Sequence, residues 1–335
     1  MEVFIPKKVF YEKNTLKYKQ GKELLEKYSM TGIELIEIDN HHNIEEHRKM
    51  SDSEFVDMKK YLILGERKTQ RFVPNDKTSD YLVPYTSTGC PAICTYCYLV
   101  CNFYKCSYLR VFLNREKLLD RLIIRSIREP NKVFEIGSNS DLVIENTVTG
   151  NLEWTISQFA KNGRGKITLP TKFHAVENLL GISHRGKTII RMSVNPREII
   201  KSVEIGTSNL EDRIEALIML FKAGYEVGLL VAPVILTDDY ERMYGELFEH
   251  LADKLPSKLK HSLPVEIIFM TYGHAHKKIN EASLKNTFDV YDEEKMKISY
   301  RGKYRYKDEY RTIAEDTIKK LFHKYLPESN LMYIC

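Results

Sequence analysis

The chain has 335 residues, 43% of them hydrophobic, with a formal net charge of +5. That size and apolar content permit one large domain or two smaller ones with a sizeable core, and the mild basicity permits a polyanionic partner without requiring one. No apolar run reaches the roughly 18–20 residues that span a bilayer, and the opening MEVFIPKKVFYEKN lacks a signal peptide's apolar segment, so a cytoplasmic protein without a membrane partner is expected.

Residues 1–80 read as a charge-rich α/β extension, with a helix at 16–28, a strand at 33–39 and a polar stretch whose His41, His42 and His47 read as solvent-facing. From residue 81 the pattern changes. β-Branched runs at 81–87, 133–138, 166–171, 188–195, 227–236 and 265–270 alternate with helical apolar spacing at 115–128, 151–161, 211–223 and 239–254. Alternating strand and helix predicts a parallel sheet, and this number of units over 81–335 predicts an α/β fold with a partial (β/α)6-type barrel. Residues 295–307, KMKISYRGKYRYK, hold six Lys or Arg, three Tyr and no acid, with Gly302 between two short alternating runs. They read as a basic, aromatic C-terminal β-hairpin suited to phosphate contacts, or as a solvated charged hairpin. His274 and His276 fall on a polar loop as a weak candidate for a metal or phosphate contact.

Five of the six cysteines fall between residues 90 and 106, a clustering that points to a metal or redox site rather than a disulfide framework. The loop Gly89-Cys90-Pro-Ala-Ile-Cys94-Thr-Tyr96-Cys97-Tyr98 has C-x3-C-x2-C spacing and follows the first predicted barrel strand, at the face where barrel active sites form. Three thiolates can hold three irons of a cubane and leave the fourth iron open, whereas most protein clusters use four cysteines. The competing reading is a zinc site that adds Cys101 or Cys106, because zinc favours four closed N or S ligands.

The three-cysteine motif resembles the signature of the radical S-adenosylmethionine (SAM) superfamily, in which a 4Fe–4S cluster on Cys90, Cys94 and Cys97 would bind SAM at its open iron. A closer resemblance is to the spore photoproduct lyase family. It runs from about residue 81 to the C-terminus through CTYCYL (94–99), YLRVFLN (108–114), SNSD (138–141), PTKF (170–173), RMSVN (191–195), GTSNLEDR (206–213), AGYEVGLLVAPV (223–234) and GKYRYKDE (302–309).

That resemblance implies a lyase that reverses the 5-thyminyl-5,6-dihydrothymine lesion in double-stranded DNA. A 5′-deoxyadenosyl radical takes the C6 hydrogen, SAM is regenerated, and a small electron donor such as ferredoxin or flavodoxin serves the cluster. It maps radical relay onto Tyr96 and Tyr98. It maps SAM contacts onto Ser140, Lys172 and Ser193, with Asp141, Asn195 and Ala232 as weaker candidates. DNA contacts fall on Tyr300, Arg301, Lys303, Tyr304 and Arg305. One position departs from the family. The hydrogen-donor cysteine of F-E-x-x-C-x-S-D is Ser138 here, and an alcohol O–H is too strong to quench a carbon radical. Tyr98 is then the leading donor, with Cys101 and Cys106 as further candidates. A family relative acting on another substrate, and a non-catalytic metal-stabilised DNA-binding protein, are the competing readings.

Overall fold

The structure is a computed structural model that describes residues 4–42, 44–261, 263–284, 287–299 and 302–335. Its largest sheet is open. Seven strands run parallel in the spatial order Asn330–Ile334, Pro264–Phe269, Glu226–Val234, Thr188–Val194, Lys166–Thr171, Val133–Glu135 and Tyr81–Leu82, with Val73–Pro74 closing one edge antiparallel. The six expected strands are all present in the expected order, although the first is short. A seventh, Asn330–Ile334, was not foreseen. The helices Arg115–Arg128, Asn151–Asn162, Leu210–Lys222 and Tyr240–Lys254 lie where the apolar spacing put them. Leu210–Lys222 shows why such a start is readable: the Asn209 side chain accepts the Asp212 N–H at 2.9 Å and so satisfies one of the helix's free N–H groups.

A second, five-stranded sheet carries the N-terminal segment. Lys8–Glu12 lies between Glu34–Ile38 and Tyr61–Gly65, and Leu109–Phe112 and Ser87–Thr88 complete the sheet. Two of its strands therefore come from beyond residue 80, and they tie the extension to the cysteine loop that lies between them in sequence. Its apolar face packs Val9, Leu24, Leu62, Leu109 and Val111 into their own cluster, apart from the barrel core built on Phe134, Leu169, Met192, Val231 and Ile267.

The histidine reading needs correction. His42 is exposed, but His41 and His47 are buried at 1% and 2%. Each has a polar partner that offsets burial: His41 Nδ1 lies 2.8 Å from Glu12, and His47 Nδ1 lies 3.0 Å from the Tyr108 hydroxyl. Among the described residues, no helix is long and apolar enough to cross a membrane.

Candidate active site

The cysteine loop is held from three sides. Gly89 starts it at φ +79°, and a Cβ there would stand 1.9 Å from the Tyr108 carbonyl oxygen, so only glycine fits. Main-chain bonds from Gly89 to Asn139 (2.8 Å) and from Cys90 to Ser107 (3.1 Å) fix the entry. Ile93–Cys94 pairs antiparallel with Glu204–Ile205. From the third side, His276 Nε2 donates to the Cys97 carbonyl at 2.7 Å while its Nδ1 accepts the Gly273 N–H at 3.0 Å. These two bonds require the neutral ring, and burial lowers the His276 pKa in agreement. Asn280 donates to the Thr95 carbonyl at 2.8 Å. His276 is thus a positioning residue of the loop rather than a metal or phosphate contact.

Beside the loop sits a charged knot around Glu204, whose side chain is fully buried. Its Oε1 receives Lys172 Nζ at 2.9 Å, Asn195 Nδ2 at 3.0 Å and the Tyr96 hydroxyl. Arg213 approaches Oε2 at 2.7 Å, an ionic contact without hydrogen-bond alignment. Burial alone would raise the Glu204 pKa, but the Lys172 and Arg213 charges outweigh it and hold the carboxyl well below its usual range. Lys172 also donates to Ser193 Oγ (2.6 Å) and to the Ala232 carbonyl (2.8 Å).

Two cavities meet here. The first, of about 330 Å3, is lined by Cys90, Cys94, Cys97, Tyr96, Tyr98, Ser140, Asp141, Lys172, Ser193 and Ala232 among others. The second, of about 550 Å3, is lined by Asn75, Lys77, Thr78, Glu135, Ser138, Arg191, Glu266 and Tyr333 among others. Tyr98, Pro170, Leu230 and Ile268 line both. The polar floor of the second is an ion cluster on three barrel strands, Val133–Glu135, Thr188–Val194 and Pro264–Phe269, each separated from the next by one intervening strand. Arg191 pairs with Glu135 and, at 3.0 Å, with Glu266, and donates to Thr78 Oγ1 at 3.0 Å.

A family model described as spore photoproduct lyase matches residues 4–335. The chain belongs to the spore photoproduct lyase family. It is 32% identical to spore photoproduct lyase of Bacillus subtilis (strain 168), over 98% of each chain, and 31% identical to that of Geobacillus sp. (strain Y412MC61), over 99% of each. Among solved structures, a spore photoproduct lyase complexed with dinucleoside spore photoproduct is 31% identical with a TM-score of 0.90 over the whole of both chains. A substituted spore photoproduct lyase with bound AdoMet and the same dinucleoside has the same identity and TM-score. The fold is therefore the radical SAM partial barrel, and the chain is a radical SAM lyase.

The three thiols that the family's cluster would use face one cavity, although among the described residues no three His, Cys, Asp or Glu side chains stand close enough to form a ready site for a single metal ion. Cys101 and Cys106 line a different cavity. Burial pushes the Cys90 thiol up to about 12 and raises Cys94 well above its ordinary value, so thiolates there call for the positive charge that iron supplies. Cys101 is exposed, with its sulfur 3.8 Å from His276 Nε2.

The structure brings most of the residues expected to meet SAM onto the first cavity, with two qualifications. Asp141 lines it, yet its oxygens are occupied by the N–H groups of Val143, Ile144 and Lys172 and by the Thr171 hydroxyl, which makes it a helix cap that clamps a strand end. Asn195 is fully buried behind the wall, bridging Glu204, Pro233 O and the Tyr244 hydroxyl. Ser138 belongs to the second cavity alone. Glu204, Arg213, Glu135 and Arg191 had no assigned role in the sequence reading. Arg191 and Arg213 did lie inside matched stretches, and Glu135 in the F-E motif, which was the available signal.

The expected hairpin is Met296–Ile298 with Lys303–Tyr306, and Thr271–Gly273 adds a third strand. Strand alternation exposes Lys303 and Arg305 and buries Tyr304 and Tyr306. Tyr304 is turned inward, its hydroxyl 3.1 Å from His274 Nε2, so its ring is not on the outer face. Arg305 pairs with Asp308 at 3.2 Å. Tyr300 and Arg301 lie outside the described residues.

Proposed function

We propose that this lyase repairs spore photoproduct in double-stranded DNA, with the cofactors in the first cavity and the lesion in the second. The shared wall carries the reading: Tyr98, 49% exposed, faces both spaces. When bound at Cys90, Cys94 and Cys97 and the residues around them, the cluster and SAM would supply the radical chemistry that removes the C6 hydrogen of the dihydrothymine, with SAM recovered at the end.

The chain's own residues do the rest. Lys172 gives its three N–H groups to Glu204, Ser193 Oγ and the Ala232 carbonyl, and Ser193 gives its proton to that carbonyl. They would meet the carboxylate and hydroxyl groups of SAM by exchanging one of these partners for the ligand. Ser140, with Ser87 Oγ 2.5 Å away, presents a further hydroxyl. Glu135, Arg191, Glu266 and Thr78 give the lesion cavity donors and acceptors suited to the edges of a flipped base pair step. Hydrogen return to the product falls to Tyr98. Its phenolic O–H would break as a C–H bond forms on the product thymine radical, and the phenoxyl would regain a hydrogen atom from the 5′-deoxyadenosine methyl, so that no unpaired electron is left on the protein. Ser138 lines the same cavity but carries no thiol. Lys303 and Arg305 on the hairpin contact the DNA backbone, and an acidic electron carrier such as flavodoxin or ferredoxin serves the cluster.

Anaerobic incubation with SAM, reductant and dinucleoside spore photoproduct tests this. Release of the two thymidine units is expected. Formation of 5′-deoxyadenosine with the dinucleoside intact would move the enzyme to a different substrate.

A further inference from the structure

Behind the helix Tyr98–Phe103, which begins at the last cluster cysteine, lies a third cavity of about 440 Å3. We propose that it binds a phosphate-class oxyanion, with Arg110 as its anchor. Neither the lyase chemistry nor the SAM and lesion cavities use this space.

Arg110 is only 6% exposed and lies on a central strand at the cavity's base. Its Nε donates to the His41 carbonyl at 3.3 Å, and its guanidinium lies against the Tyr108 and Phe103 rings at 4.5 and 5.3 Å. Its Nη1 is buried and has no hydrogen-bond partner among the described residues. A buried guanidinium with a bare N–H carries a desolvation cost that an anion in the adjacent space removes.

The rest of the lining has matching charge. Exposed Arg48 adds a second cation, and exposed His42 adds a ring whose pKa burial and then the His41 and Arg110 charges lower. Lys105 in the lining is already held by Asp52 and the Met50 carbonyl, and no carboxylate lines the cavity among the described residues. Two acids bonded to residues in or beside the lining are already engaged. Glu12 is held by His41 at 2.8 Å, and Asp52 accepts the Tyr104 hydroxyl at 2.7 Å and Lys105 at 3.5 Å. Free phosphate and a DNA phosphodiester present the same oxygens to this set. Because the cavity's wall is the helix that follows Cys97, an occupant would brace the cluster loop from behind.

Calorimetric titration of the reconstituted protein with inorganic phosphate tests the site, with potassium chloride at matched ionic strength as control. Saturable binding is expected, weakened about tenfold or more in Arg48→Ala and abolished in Arg110→Gln, as loss of a charge-assisted hydrogen bond implies. Arg110→Gln removes a group packed on two rings; if it does not fold, Arg48→Ala carries the test. Competition by lesion-free duplex would identify the DNA backbone as the source, and its absence would identify free phosphate; either supports the site. Heats equal to the chloride control, or unchanged affinity in either folded variant, would overturn it, and neither result bears on spore photoproduct cleavage.

Discussion

Lys172 Nζ stands 2.9 Å from Glu204 Oε1, and Glu204 is also the residue whose main chain pairs with Cys94. One buried carboxylate therefore links the cysteine loop, Tyr96 and the lysine expected to meet SAM. Glu204→Gln would leave Lys172 and Arg213 without their common counter-charge. Removing one partner of a buried pair costs roughly 3–5 kcal/mol, and a loss of that order is expected in chemical denaturation of the reconstituted protein. A loss below about 1 kcal/mol would show that the pair contributes little to the loop's position.

Gly89→Ala is expected to block formation of the loop. The added methyl would meet the Tyr108 carbonyl oxygen at 1.9 Å, backbone against backbone, at a φ of +79°. Neither strand can yield without breaking the Ser87–Thr88 to Leu109–Phe112 pairing. The variant should retain little iron on anaerobic reconstitution. Wild-type iron content would mean that the loop adjusts.

How much of this was legible depends on the range of the interaction. Local signals were readable: the period of Arg115–Arg128, the spacing of the cysteines and the glycine of the hairpin turn are written within a few residues. The Glu204 knot was not legible, because Lys172 just past a barrel strand, Glu204 on the short strand paired with the cysteine loop and Arg213 on the helix Leu210–Lys222 come together only when the chain folds. The same holds for Arg191 between Glu135 and Glu266. Such residues look like ordinary surface charges in a strand pattern, and only folding reveals them as buried pairs. His41 and His47 misled for the same reason, since their partners Glu12 and Tyr108 lie 29 and 61 residues away.

Cluster assembly should depend on three thiols and be indifferent to two. Cys90→Ala, Cys94→Ala and Cys97→Ala are each expected to lose the brown charge-transfer absorption and most of the roughly four irons of a cubane. Cys101→Ala and Cys106→Ala, whose side chains line another cavity, should keep both. Iron loss in either of the latter would bring back a four-thiol site.

Hydrogen return can be read from a pair of variants. Tyr98→Phe keeps the ring in the wall between the two cavities and removes the O–H, so release of intact thymidine should fall at least about tenfold while 5′-deoxyadenosine still forms. Cys335 is the natural comparison. Its sulfur contacts Lys77 Nζ at 2.7 Å, and Lys77 lines the second cavity. If Tyr98 is the donor, Cys335→Ala should turn over like wild type. The reverse pattern would move the donor from the phenol to the C-terminal thiol.

Acid stability should fall in two steps. Burial first, and then the Arg110 and Lys8 charges, lower the His47 pKa from 6.5 to about 4. The unfolded chain therefore takes up this proton before the folded one does. The stabilisation from neutral His47 is complete above pH 6.5 and is lost as pH falls towards 4, by ~3 kcal/mol at most. Glu12 acts lower. Burial would raise its pKa, but hydrogen bonds from the His41 ring and from the His41 and Glu66 N–H groups bring it down to about 2. Its contribution is complete above about pH 4.5 and is lost towards pH 2. Urea midpoints measured from pH 7.5 to 3 should show the first step in wild type and not in His47→Gln, where the slope between pH 6.5 and 4.5 should flatten. An unchanged slope in that variant would assign the step to another group.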